Sequence, residues 1–154
     1  MSELNQATID QTQQWIEAIV VGLNFCPFAK RELRKNAVRF VLNESGDMQE
    51  ALEQFVAECE FLDVHPETET TLLILPNGFE EFLYYLDLTQ LAEDLLTEQG
   101  YEGVYQVASF HPNIGVSTAN GFARATVAGF HHHCFTTHQD RGVPQYLYGF
   151  NRAI

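Results

Sequence analysis

Thr70-Thr71-Leu72-Leu73-Ile74-Leu75 is a short, nearly continuous apolar run, closed by Pro76-Asn77-Gly78. Such a run, bounded by turn residues, has the form of a strand buried on both faces, which in turn requires helices on both sides of a sheet. Working downstream, Asn77 is placed to cap a helix whose first turn holds Glu80 and Glu81. Phe79, Phe82, Leu83, Leu86, Leu91 and Leu95 supply its core face, and Gly100 ends it. Val104 to Phe110 then reads as a further strand, closed by His111-Pro112. Upstream, Asp47-Met48-Gln49-Glu50 has capping-box spacing, and Leu52, Phe55, Val56 and Cys59 follow at i, i+3, i+4, i+7. Ala37 to Asn43 alternates, with Val38, Phe40 and Leu42 on one face. Two helices precede it. One starts at the capping box Thr8-Ile9-Asp10-Gln11 and buries Trp15, Ile16, Ile19, Val20 and Leu23. The other is led by Pro27 and stops near Asn36.

The order is therefore α-α-β-α-β-α-β. Strands that alternate with helices predict right-handed crossovers and an α/β fold with a largely parallel sheet of three or more strands. Residues 1–112 form the α/β domain in this reading. Residues 113–154 follow as an irregular tail with scattered Gly, the run His131-His132-His133-Cys134, and one weak strand signal near Gln145 to Phe150.

Charge narrows the function. The chain of 154 residues carries a net −13, which repels phosphate backbones and anionic bilayers and so argues against nucleic-acid and membrane partners. Up to Pro112 there are 20 acidic and five basic residues; beyond it there are three Arg, one Asp, and no Lys or Glu. All five early cations, Lys30, Arg31, Arg34, Lys35 and Arg39, fall in one decapeptide. Three cysteines without framework spacing fit a reducing compartment. No signal segment opens the chain and no apolar run approaches membrane length, so a soluble cytoplasmic protein is expected.

That decapeptide follows the most distinctive motif, Asn24-Phe25-Cys26-Pro27-Phe28-Ala29-Lys30. A cysteine ahead of a Pro-led helix meets unpaired N–H groups and nearby cations, the two usual means of lowering a thiol pKa. A small buried residue filling the bend between two helices would look the same in sequence. A helix running directly into a strand packs antiparallel to it, which puts Cys26 over the edge where the third strand delivers Ser109, Phe110 and His111. Asn43-Glu44-Ser45 and Pro76-Asn77-Gly78 reach the same edge, where ligands bind in open α/β sheets. His111 also has a plain reading as a turn residue before Pro112. Cys59, on an apolar helix face, belongs to the core. The tail's His131, His132, His133, Cys134 and His138 are metal-ligand types, but adjacent residues cannot all face one ion, so no metal and no cofactor is expected.

The segments Val20-Val21-Gly22-Leu23-Asn24-Phe25-Cys26-Pro27-Phe28-Ala29-Lys30, Leu73-Ile74-Leu75-Pro76-Asn77 and Gly103-Val104-Tyr105-Gln106-Val107-Ala108-Ser109-Phe110-His111-Pro112 resemble a bacterial family, domain of unknown function 1415, over about residues 10–112. The resemblance implies a grouping and no particular reaction. It also implies an acidic stretch, an Asn-Arg-Ser-Pro-type motif and a closing helix after the His-Pro, none of which stands in this sequence. The loss of Lys and Glu together with the histidine run is the composition a shifted reading frame near codon 113 would produce. Cys26-Pro27-Phe28-Ala29 is locally similar to the active-site run of omega-class glutathione transferases. There a strand precedes the cysteine; here a helix does, so the likeness is one of cap chemistry.

These residues lead to a thiol-dependent enzyme acting on a small anionic metabolite. Cys26 is the expected nucleophile or redox thiol, His111 its acid–base partner, and Lys30, Arg31, Asn77 and Ser109 the substrate contacts. The alternatives are a non-catalytic module binding a small anion or a protein on the same rim, and an inactive truncated family member.

Overall fold

The computed structural model describes residues 3–22, 29–110, 115–118, 121–124 and 133–139. Helix α1 spans Glu3–Trp15 and passes without a break into a π-helical segment, Ile16–Val21. Helix α2 is Ala29–Arg34, strand β1 Val38–Leu42, helix α3 Met48–Val64, strand β2 Thr70–Leu75, helix α4 Phe82–Glu98 and strand β3 Tyr105–Phe110. Strands β4 (Gly115–Thr118), β5 (Gly121–Arg124) and β6 (His133–Gln139) follow. None of the described helices is long and apolar enough to cross a membrane.

The alternation of strand and helix is the expected one, and β1 and β2 pair in parallel from Val38 opposite Thr70 to Leu42 opposite Ile74. The sheet as a whole is mixed, which corrects the expectation of a largely parallel one. Its order is β1-β2-β6-β3, with β6 antiparallel to both neighbours. The crossover through α4 leaves β3 pointing the same way as β2 but one place further out, and β6 occupies the gap. The irregular tail needs correcting as well: β4 and β5 form a two-stranded antiparallel pair, and β6 joins the main sheet. The β-branched and aromatic residues of Cys134-Phe135-Thr136-Thr137 suit a pleated ladder, a signal hidden beside the histidine run. The strand expected near Gln145 lies outside the described residues.

Alternation along the strands sends side chains to two cores. On one face Leu73, Leu75, Tyr105 and Val107 meet Phe55, Cys59 and Leu62 of α3 and Tyr85, Leu88 and Leu96 of α4. On the other, Leu72 packs with Ile16 and Val20, with Trp15, Ala29, Leu33, Val38 and Phe40 around them. β2 is buried along nearly its whole length, as its apolar run requires. Each fully buried Leu or Phe contributes about 2 kcal/mol of transfer free energy.

Helix ends differ from expectation in two places. α1 begins at Glu3, well before Thr8, whose hydroxyl instead donates back to the Leu4 carbonyl at 3.1 Å. α4 is capped by Glu81, whose carboxylate accepts from the Tyr84 N–H at 2.8 Å, and not by Asn77. The α3 cap is as read from the sequence: Asp47 accepts from the Glu50 N–H at 3.0 Å.

At the far end of α3 one carboxylate holds two phenols. Asp63 accepts from Tyr101 at 2.7 Å and from Tyr105 at 2.6 Å, which ties α3 to the start of β3. The hydrogen bond to Asp63, then burial, pushes the Tyr101 phenol up to about 12. Burial, then the same carboxylate, raises Tyr105 further. A folded-state pKa raised above the unfolded value of about 10 means that the clamp's contribution is complete below pH ~10 and is lost as pH rises through about 12. Alkaline unfolding followed by circular dichroism and tyrosinate absorbance should show this loss. A Tyr101→Phe/Tyr105→Phe double variant, less stable at neutral pH, should lose less over that window.

Candidate functional site

Because β1, β2 and β3 all run in one direction, their carboxyl ends share one edge of the sheet. Leu42, Ile74, Cys134 and Phe110 lie in one row across the four strands. With strands about 4.8 Å apart, the ends of β2 and β3 stand roughly 10 Å from each other, a span suited to a small molecule. Ser109 lies one residue inside this row, opposite Phe135. Cys26 and His111 lie outside the described residues.

The loops after β1 and β2 are locked together at this edge. Asn77 donates from its amide to the Glu44 carbonyl at 2.9 Å. Asn43 accepts through Oδ1 from the Ser45 N–H at 3.1 Å and from the Ser45 hydroxyl at 2.7 Å. The backbones of Gly46 and Gly78 touch: a Cβ on Gly78 would stand 2.6 Å from the Gly46 Cα and 2.9 Å from its carbonyl carbon. Both glycines adopt left-handed φ, +69° and +82°. Carboxylates line these loops, and neutral donors already occupy them. Glu44 accepts from Asn5 of α1 at 3.1 Å, Glu80 from the Gly78 N–H at 3.1 Å, and Glu81 caps α4. This side of the edge is acidic, and one N–H of the Asn77 amide is engaged in holding the β1 loop.

The cations of α2 are fewer than the sequence suggests, because Glu32 engages two of them. Glu32 is buried beneath the basic helix and pairs with Arg31 and, at 3.5 Å, with Lys35. Burial pushes the Glu32 carboxyl up, but the Arg31 hydrogen bond and the charges of Lys35 and Arg31 outweigh it, holding the group below its usual range. Arg39 is drawn to the opposite face of the sheet by Glu58, at 2.8 Å. Lys30 and Arg34 are exposed, and neither has an ion-pair partner among the described residues. Of the two predicted anion contacts, Lys30 has no ion-pair partner among the described residues and Arg31 pairs with Glu32. The sequence reading overlooked Glu32, whose i,i+3 spacing to Lys35 and position among four cations were the available signal.

Cys59 is fully buried in the α3–α4 core. Burial, followed by the charges of Asp63, Glu58 and Glu60, pushes its thiol up to about 12, so it is a protonated packing residue at neutral pH, as expected. Among the described residues no cluster of His, Cys, Asp and Glu could hold a metal ion.

No curated protein and no solved structure matches the chain. One family profile does, across residues 7–140, a span that includes the Cys26 and His111 motifs and runs past Pro112 into β6. With most of its length inside that match, the chain belongs to the family described as protein of unknown function (DUF1415).

Proposed function

We propose that the protein is a thiol-dependent enzyme for a small anionic substrate, with Cys26 as nucleophile or redox thiol and His111 as its acid–base partner. The observation that carries this reading is the course of the chain. The Cys26-Pro27 motif leads directly into α2, the helix bearing Lys30 and Arg34, cations without a described ion-pair partner in a molecule of net charge −13. Two further features support it. The π-helical segment that precedes the motif is a rare geometry often found at functional sites. Strand β3, which His111 directly follows, ends at the sheet edge shared by β1 and β2. Ser109 and Lys30 are the favoured substrate contacts in this reading, with Arg31 beside them. Asn77 contributes by fixing the β1 loop.

Site-resolved alkylation across pH, read by mass spectrometry on the native chain, tests the proposal, with Cys59 as an internal control that stays unlabelled while the fold persists. The expected midpoint for Cys26 lies well below the unperturbed ~8.5. Lys30→Gln should raise it. Glu32→Gln should lower it by releasing Arg31 and Lys35, each shift being on the order of a few tenths of a pH unit for surface charges. Labelling of Cys26 only on unfolding would make it a packing residue and leave the non-catalytic binding module as the better reading.

The composition break at Asn113 favours a second proposal, that the reading frame shifts near codon 113 and the molecule is an inactive member of its family, and the family match that continues to residue 140 counts against it. Resequencing the gene decides it. An intact frame encoding this same tail would remove the idea, and an altered frame restoring an acidic stretch and a closing helix would establish it.

A further inference from the structure

We draw no further inference here: the strongest candidate, the outer face of α4 where Leu83, Tyr84 and Leu91 are exposed beside Asp87 and Asp94, carries nothing because nothing in the structure shows what covers it.

Discussion

Replacing Gly78 by alanine should cost about 3 kcal/mol or more. Two penalties add. Alanine at φ +82° pays about 1–2 kcal/mol for the left-handed conformation alone. The new Cβ would also enter the backbone of Gly46, at 2.6 Å from its Cα, and a backbone cannot rotate away as a flexible side chain can. Relief requires the β1 and β2 loops to part, which breaks the Asn77–Glu44 bond as well. Gly100→Ala is the control. Its φ is +77° but nothing lies within 4 Å of the added Cβ, so only the conformational cost of about 1–2 kcal/mol remains. Urea unfolding of the two variants should separate them clearly. Equal losses would mean that the Gly46–Gly78 contact does not hold the loops together.

Arg39→Met should have the next largest effect, about 2–3 kcal/mol, with Glu58→Gln costing only about 1 kcal/mol. The asymmetry follows from exposure. The Glu58 side chain is 4% exposed and that of Arg39 is 40%. Removing Arg39 strands a buried carboxylate with two neutral donors, Gln54 at 2.9 Å and Thr71 at 3.3 Å. It also removes the guanidinium from the Phe61 ring, whose centroid lies 4.0 Å away. Removing the Glu58 charge leaves a guanidinium that can turn to water. An Arg39→Met/Glu58→Leu double variant should recover part of the Arg39→Met loss, since it also removes the buried carboxylate that Arg39→Met alone leaves without its ion-pair partner. Thermal or urea melts of the three variants check the order. If Glu58→Gln proves worse than Arg39→Met, the carboxylate's value lies in its bonds to Gln54 and Thr71 and not in the ion pair.

Both variants concern features that local sequence reading does not reach. Gly46 and Gly78 are far apart in the chain, and each alone looks like ordinary turn punctuation. Their contact exists because β1 and β2 pair in parallel and bring the two loops to one level. Arg39 counted as part of a basic decapeptide, yet strand alternation turns it away from α2 toward Glu58 of α3. Asn77 had the residue type and position of a helix cap. Glu81 takes that role because α4 begins only at Phe82, and the Asn77 amide crosses to the neighbouring loop.

By itself the sequence determined the elements whose cause is local or periodic. The continuous apolar run 70–75, bounded by turn residues, had the form of a doubly buried strand, Asp47 had a helix to cap, and the spacing of Phe55 and Cys59 required a core face. It also determined the membership of the family, through the Cys26 and His111 motifs. Only the tertiary structure decided where the charges act and how the sheet closes. Charge interactions fall off over a few ångströms, so their partners depend on which elements the fold brings together. For that reason Glu32 neutralises part of α2, Glu58 captures Arg39, and Glu44 and Glu80 make one side of the sheet edge acidic. Strand order, too, is a matter of long-range pairing, which is why β6 rather than β3 lies beside β2.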